Sequence, residues 1–236
     1  MRSIGLLLKV MWSPAEAMFL ISKNPRALVP IVFLALCSLA GGMLVMAKVP
    51  ASELAMRAIE RSPQGANLSD EQKNQMRQRI DSPGVRVFGI ISAAIGPVFI
   101  VLIVTSVYFG IFTIVGREGG FKAFFAITAF AFVPLIFRQG AAVLSAFVVP
   151  ASSIMPDELG SLSPAVFLDR DSVSRVVFAT VNMIDVVSLW TLCLLVIGYG
   201  FVTRKNVSKA ACAGTVFGVF LVYAVIRVML ASLRGF

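Results

Sequence analysis

Histidine is missing from all 236 residues, and charged side chains make up only 14% of them. Without imidazole there is no histidine ligand for a metal or haem, and no side chain that ordinarily titrates near neutral pH. A Ser–His pair and a His-Glu zinc motif are both excluded. A soluble domain carries about 25% charged residues, so this chain has too few to face water all round. There are three cysteines, and Cys37, Cys193 and Cys212 each lie inside an apolar run. They read as small buried hydrophobes rather than a disulfide framework or a zinc site. A Walker loop is lacking too: Gly116–Arg117–Glu118–Gly119–Gly120 has no Lys-Ser/Thr after it and follows an apolar run, so it reads as a tight turn. No catalytic residue, cofactor or metal site is expected, and the chain reads as a non-enzyme.

Apolar sequence is what the chain has in quantity: 58% of its residues are hydrophobic. Crossing roughly 30 Å of hydrocarbon takes about 20 mostly apolar residues in a helix. Five runs qualify, at 27–47, 87–115, 123–149, 176–202 and 210–230. The expectation is an all-α membrane protein: five transmembrane helices, an N-terminal interfacial helix and an outer helical-hairpin loop. Residues 1–26 form a cytoplasmic interfacial segment, and 27–236 form one membrane domain with its outer loop at 48–86. The net charge of +9 would suggest nucleic acid in a soluble protein. Here it points to cytoplasmic loops near anionic lipid, and no nucleic-acid partner is expected.

An odd number of spans puts the termini on opposite sides. The N-terminal segment and the two short links after the second and fourth runs hold nine basic and two acidic residues. The two longer loops hold nine basic and nine acidic residues. Basic density in short loops favours the cytoplasm for the N-terminus and the outside for the C-terminus, in a cell's inner membrane. Residues 1–17 superficially fit a signal peptide, but Lys9 breaks the apolar core. Ser13–Pro14–Ala15–Glu16 reads instead as a helix start, and Trp12, Met18, Phe19 and Ile21 suit a helix lying on the inner leaflet.

The 48–86 loop reads as two helices. Ser52 caps the first, running to Arg61 with Glu53 and Arg57 at i,i+4. After a Ser62–Pro63–Gln64–Gly65 turn, Ser69–Asp70–Glu71–Gln72 forms a capping box for a second helix to about Asp81. Residues 150–175 have loop composition. Asp157, Glu158, Asp169 and Asp171 lack a calcium-ligand spacing and are expected to be simply solvated.

Charged groups at membrane depth cost about 2.5–3.5 kcal/mol each. Arg138 and Asp185 both fall about 13–17 Å from the same surface, where antiparallel spans could set them side by side, with Gln139 and Asn182 meeting the remaining hydrogen bonds. The pair is either an interhelical clamp or a polar site for an ion, proton or lipid headgroup. Pro30, Pro97 and Pro134 lie within spans; Pro134 should kink the third just before Arg138. Arg227, nearer the outer boundary, should snorkel. Ala210, Gly214 and Gly218 make a small-residue stripe expected to pack on another span of the chain, or else on a second copy. Gly198 and Gly200 permit close approach in the fourth span.

Three segments together resemble the Yip (Ypt/Rab-interacting protein) family. Trp12–Ser13–Pro14, Phe19, Pro25 and Pro30 resemble its entry to the first span. Phe121–Lys122–Ala123–Phe124–Phe125 with Phe132–Val133–Pro134 is similar to its third. Asn182 through Trp190, then Leu195–Val196–Ile197–Gly198 and Lys209–Ala210, resembles its fourth span and following loop. The Ser–Asp–Glu–Gln helix at 69–72 resembles the outer loop of prokaryotic members. The resemblance implies a five-helix domain with a cytoplasmic N-terminus and marks Asp185, Trp190 and Gly198 as its most important residues, whether in binding or in packing. Eukaryotic relatives bind small GTPases in Golgi traffic; the prokaryotic-type branch brings no settled activity. The expected role is to organise or scaffold membrane or a membrane complex, with the bilayer, other membrane proteins or a homo-oligomer as partners. Its competitors are a transporter using Arg138 and Asp185, and an accessory subunit of a larger assembly.

Overall fold

The computed structural model describes residues 3–60, 65–154, 159–168, 172–205 and 207–233. Arg61, the Ser62–Pro63–Gln64 part of the expected turn and the carboxylates Asp157, Glu158, Asp169 and Asp171 lie outside the described residues. The described chain is all-α. In order come α1 (Ser3–Trp12), α2 (Pro14–Lys23), α3 (Leu28–Lys48), α4 (Ala51–Glu60) and α5 (Asp70–Ile80). There follow α6 (Pro83–Val115), α7 (Phe121–Ala131), α8 (Ile136–Val148), α9 (Arg175–Asn182), α10 (Val186–Gly200) and α11 (Lys209–Leu233). Four spans meet the length and hydropathy needed to cross a membrane: α3, α6, α7 with α8, and α11; α9 with α10 makes a fifth if that broken pair is one span.

Local chemistry explains most boundaries. Pro83 lacks an N–H and sits where none is needed, in the first turn of α6. The span therefore begins four residues before the apolar run does. Pro97, inside the same helix, does not stop it. Pro134 does break the third span: α7 ends at Ala131 and a 3₁₀ turn at Val133–Leu135 precedes α8. The Ser69 box forms as expected, Ser69 Oγ accepting from Gln72 N–H at 3.3 Å and Gln72 Oε1 accepting from Ser69 N–H at 2.9 Å. Ser52 is no cap; α4 starts one residue earlier and buries it.

The chain gathers into two compact units. The first holds Met1–Leu36, Ile95–Ile136 and Val186–Tyr223; the second holds Cys37–Ala94, Phe137–Asp185 and Ala224–Phe236. The chain passes between units five times, and each passage falls inside one of the five apolar runs. Both short links, 116–120 and 201–208, belong to the first unit, and both long loops belong to the second.

Aromatic rings fill the core of the first unit. Phe124 stacks on Tyr199 at 4.9 Å between ring centres, with Phe112 at 5.4 Å and Tyr108 at 5.2 Å from Tyr199. Each phenol finds a partner: Tyr199 Oη and Thr128 Oγ1 share a hydrogen bond of 2.7 Å, and Tyr108 donates to the Val216 carbonyl at 3.0 Å. The N-terminal segment packs one face into this core. Residues 3–12 are helical, and Val10, Ala17, Met18 and Ile21 are fully buried. Trp12 and Phe19 remain exposed. Ser13 precedes α2 without capping its backbone; its hydroxyl donates instead to Glu16, which Lys9 also pairs. The hydrogen bond from Lys9 holds the Glu16 carboxyl below its usual range. That contribution is present above the ordinary carboxylate pKa and is lost as pH falls through the lowered one.

In the second unit, Val45, Val49, Ala142, Ala146 and Ile154 form the apolar core. Arg57 closes it. Its guanidinium donates to the carbonyls of Ala151 and Ile154, the latter at 2.8 Å, and pairs with Glu53 at 2.6 Å. The expected i,i+4 pair is there, but the side chain's larger task is to tie α4 to the turn that ends the third span.

Lipid tails are as apolar as leucine, so helix contacts in a membrane depend on fit rather than on the hydrophobic effect. Gly198 supplies that fit. A Cβ there would lie 2.3 Å from Ile127 Cγ2 and 3.2 Å from Met18 Sδ, whereas at Gly200 it would meet nothing within 4 Å. Gly198→Val should cost about 1–3 kcal/mol by overpacking, read as a lowered unfolding midpoint in detergent. Gly200→Ala should leave the midpoint unchanged.

Candidate functional site

Two helix interruptions position the intramembrane charges. After the 3₁₀ turn at Pro134, α8 restarts at Ile136, so Arg138 occupies its first turn. On the fourth span α9 stops at Asn182 and α10 starts at Val186, where an unbroken helix was expected. Asp185 stands directly before α10, at the position where a carboxylate complements a helix N-terminus and is worst suited to a helix interior. Neither proline nor glycine lies in 183–185; the break coincides with the acid.

Arg138 Nη1 lies 3.5 Å from Asp185 Oδ2. The two partners are unequal: the Asp185 side chain is 4% exposed and that of Arg138 is 46% exposed. The geometry is a buried anion held beside a half-exposed cation, at a distance longer than a tight charge-assisted hydrogen bond.

Gln139 and Asn182 do not serve the pair as expected. The Gln139 side chain packs over Gly41 of α3, where an added Cβ would be 2.2 Å from Nε2. Asn182 Oδ1 accepts from Ser161 Oγ at 2.8 Å, and Ser163 Oγ donates to the Val181 carbonyl at 2.8 Å. The loop around these serines is therefore docked on the end of α9. Gly160 has a φ of +73° and comes so close to α8 that a Cβ would lie 2.5 Å from the Arg138 carbonyl oxygen and 2.9 Å from Ala142 Cβ. Only glycine suits both that backbone and that gap. The legible signal was a glycine in a stretch rich in Ser and Pro; the contact itself depends on the distant α8.

The other residues singled out in the sequence fall apart from the pair. Pro134 is buried in its turn, and Trp190 is 37% exposed. Gly214 and Gly218 face open space, with nothing within 4 Å of an added Cβ. The expected packing of their stripe on another span of this chain does not occur. The reason is the rotation of α11: its buried positions are Cys212 and Val216, which point the small residues away. Sequence reasoning passed over Tyr199 and Thr128 and gave Arg57 only its i,i+4 pair; each earns its place through a partner far away in the chain.

Truncating one member of an ion pair leaves the other uncompensated, while removing both spares that cost. Arg138→Met should lose of order 3 kcal/mol, near the lower end for buried pairs because the arginine is half exposed. The double variant Arg138→Met/Asp185→Leu should be more stable than Arg138→Met alone. Equilibrium unfolding in detergent measures both; a double variant less stable than the single would contradict the pairing.

Comparison with known proteins gave one family match, the Yip1 domain, over residues 8–229. No curated protein and no solved structure matches the chain. The matched stretch takes in α2 through α10 whole, the second half of α1 and most of α11. The chain is an integral membrane protein that belongs to the Yip1 domain family.

Proposed function

We propose that this protein is a non-enzymatic scaffold that organises membrane, or a membrane complex, in a cell's inner membrane. The observation that carries the reading is the state of its buried polar groups. Among the described residues no buried side-chain nitrogen or oxygen lacks a hydrogen-bond partner. Tyr199 is spent on Thr128, Tyr108 on the Val216 carbonyl, and Asp185 on Arg138. A protein that binds a polar solute in mid-membrane keeps groups available for it; here the polar side chains bind one another and fix the packing.

Orientation follows from where the basic residues sit relative to the span ends. The short links of the first unit place Arg117, Lys122, Arg204, Lys205 and Lys209 within four residues of a helix end. The second unit has more Lys and Arg in total, twelve against nine, but spreads them over long loops. The positive-inside rule weighs short loops, so the N-terminus belongs in the cytoplasm and the C-terminus outside. Partners are the bilayer and other membrane proteins or a second copy.

One observation favours a transporter instead. Both the third and the fourth spans are discontinuous, at 132–135 and 183–185, and broken helices build substrate sites in carriers. Proteoliposomes separate the two readings. Scaffolding predicts no flux of inorganic ions or labelled phospholipid above protein-free vesicles, together with discrete crosslinked species in native membranes for both wild type and Arg138→Met/Asp185→Leu. A flux that wild type carries and the folded double variant loses would establish transport.

A further inference from the structure

We infer that the two short links of the first unit form a preorganised binding surface for anionic phospholipid headgroups. The links are joined to each other. Glu118 N–H and Gly119 N–H both donate to the Val202 carbonyl, at 2.8 and 2.9 Å, and Arg204 N–H donates to the Gly116 carbonyl at 2.9 Å. Gly116 adopts a φ of +130°, and Arg204 and Val207 pack against it. Two connections separated by more than 80 residues thus act as one rigid knot.

That knot is cationic. Residues 116–122 and 203–209 contain Arg117, Lys122, Arg204, Lys205 and Lys209 against the single acid Glu118. Arg117 is occupied as a brace: it donates to Thr113 Oγ1 and to the Gly119 carbonyl and lies over the Phe109 ring at 4.3 Å. Lys122, Arg204, Lys205 and Lys209 are exposed, and among the described residues no ion pair takes any of them. The start of α7 adds to the field. Gly120 gives it no side-chain cap, and its first turn holds no acidic residue, so its N–H groups add positive potential beside Lys122.

Distance from the spans selects lipid over soluble anions. Arg117 is two residues past α6, Lys122 is the second residue of α7, and Lys209 is the first of α11. Links this short hold the cations at headgroup depth, where anionic lipid is concentrated and each basic residue strengthens attachment roughly fivefold. The whole first unit carries nine basic and two acidic residues, a net +7, against +2 from twelve and ten in the second. The surface is independent of the scaffold reading, and would serve a transporter equally.

The test uses the full chain reconstituted in lipid nanodiscs of mixed phosphatidylcholine and phosphatidylglycerol, with retained lipids counted by native mass spectrometry. Wild type should retain phosphatidylglycerol in excess over its share of the disc. Lys122→Gln/Arg204→Gln/Lys205→Gln should lower that preference by at least about tenfold while keeping the wild-type unfolding midpoint. Gly116→Ala keeps every charge but strains the knot; it should lower the preference by a smaller factor. Preference unchanged in the folded triple variant would overturn the inference. So would displacement of phosphatidylglycerol by millimolar inorganic phosphate, which would mark a site for free anions instead.

Discussion

Hydrocarbon offers no hydrogen bonds, and that single fact orders this molecule. Every polar group carried to membrane depth must arrive with its partner. Backbone groups meet the demand by forming helices. The deep hydroxyls meet it through Thr128 with Tyr199 and Tyr108 with Val216, and the deep charges through Arg138 with Asp185. Where the helical ladder itself fails, at Pro134 and at 183–185, the chain restarts, with Asp185 directly before α10 and Arg138 in the first turn of α8. Breaks and charges come together because a helix end tolerates an acid that a helix interior does not.

Packing obeys the second half of the same constraint. Lipid gives helices no reason to associate for their apolar surface alone, so close fit decides which faces meet. Gly198 lets Ile127 and Met18 approach, Gly41 admits Gln139, and Gly160 comes close to Arg138 and Ala142. Gly214 and Gly218 have the same spacing signature but face nothing. Spacing tells which residues are small and aligned; rotation about the helix axis, set here by Cys212 and Val216, tells whether they are used.

Sequence carried the coarse architecture because apolar length and capping chemistry are local properties. Five runs, the Ser69 capping box and the Pro134 break were all readable without coordinates. Contacts between distant segments were not. Burial of Met18 and Ile21 under α7 and α10, Arg57 reaching carbonyls nearly a hundred residues away, and Ser161 bonding Asn182 depend on tertiary proximity that no window of sequence contains. The Arg138–Asp185 pair lay between these cases: its charges were conspicuous at depth, and equal distance from one surface suggested their meeting. The residues expected to support it are engaged elsewhere, Gln139 over Gly41 and Asn182 with Ser161.

If the broken α9–α10 pair is one span, the chain crosses lipid five times, and an odd number of crossings leaves its ends in different compartments. The direct measurement is accessibility of single reporter tags at each terminus in sealed, oriented vesicles. One tag should be labelled by a membrane-impermeant reagent and the other protected until detergent is added. Both tags reacting from the same side would mean an even number of crossings, with the broken α9–α10 pair turning back within the membrane.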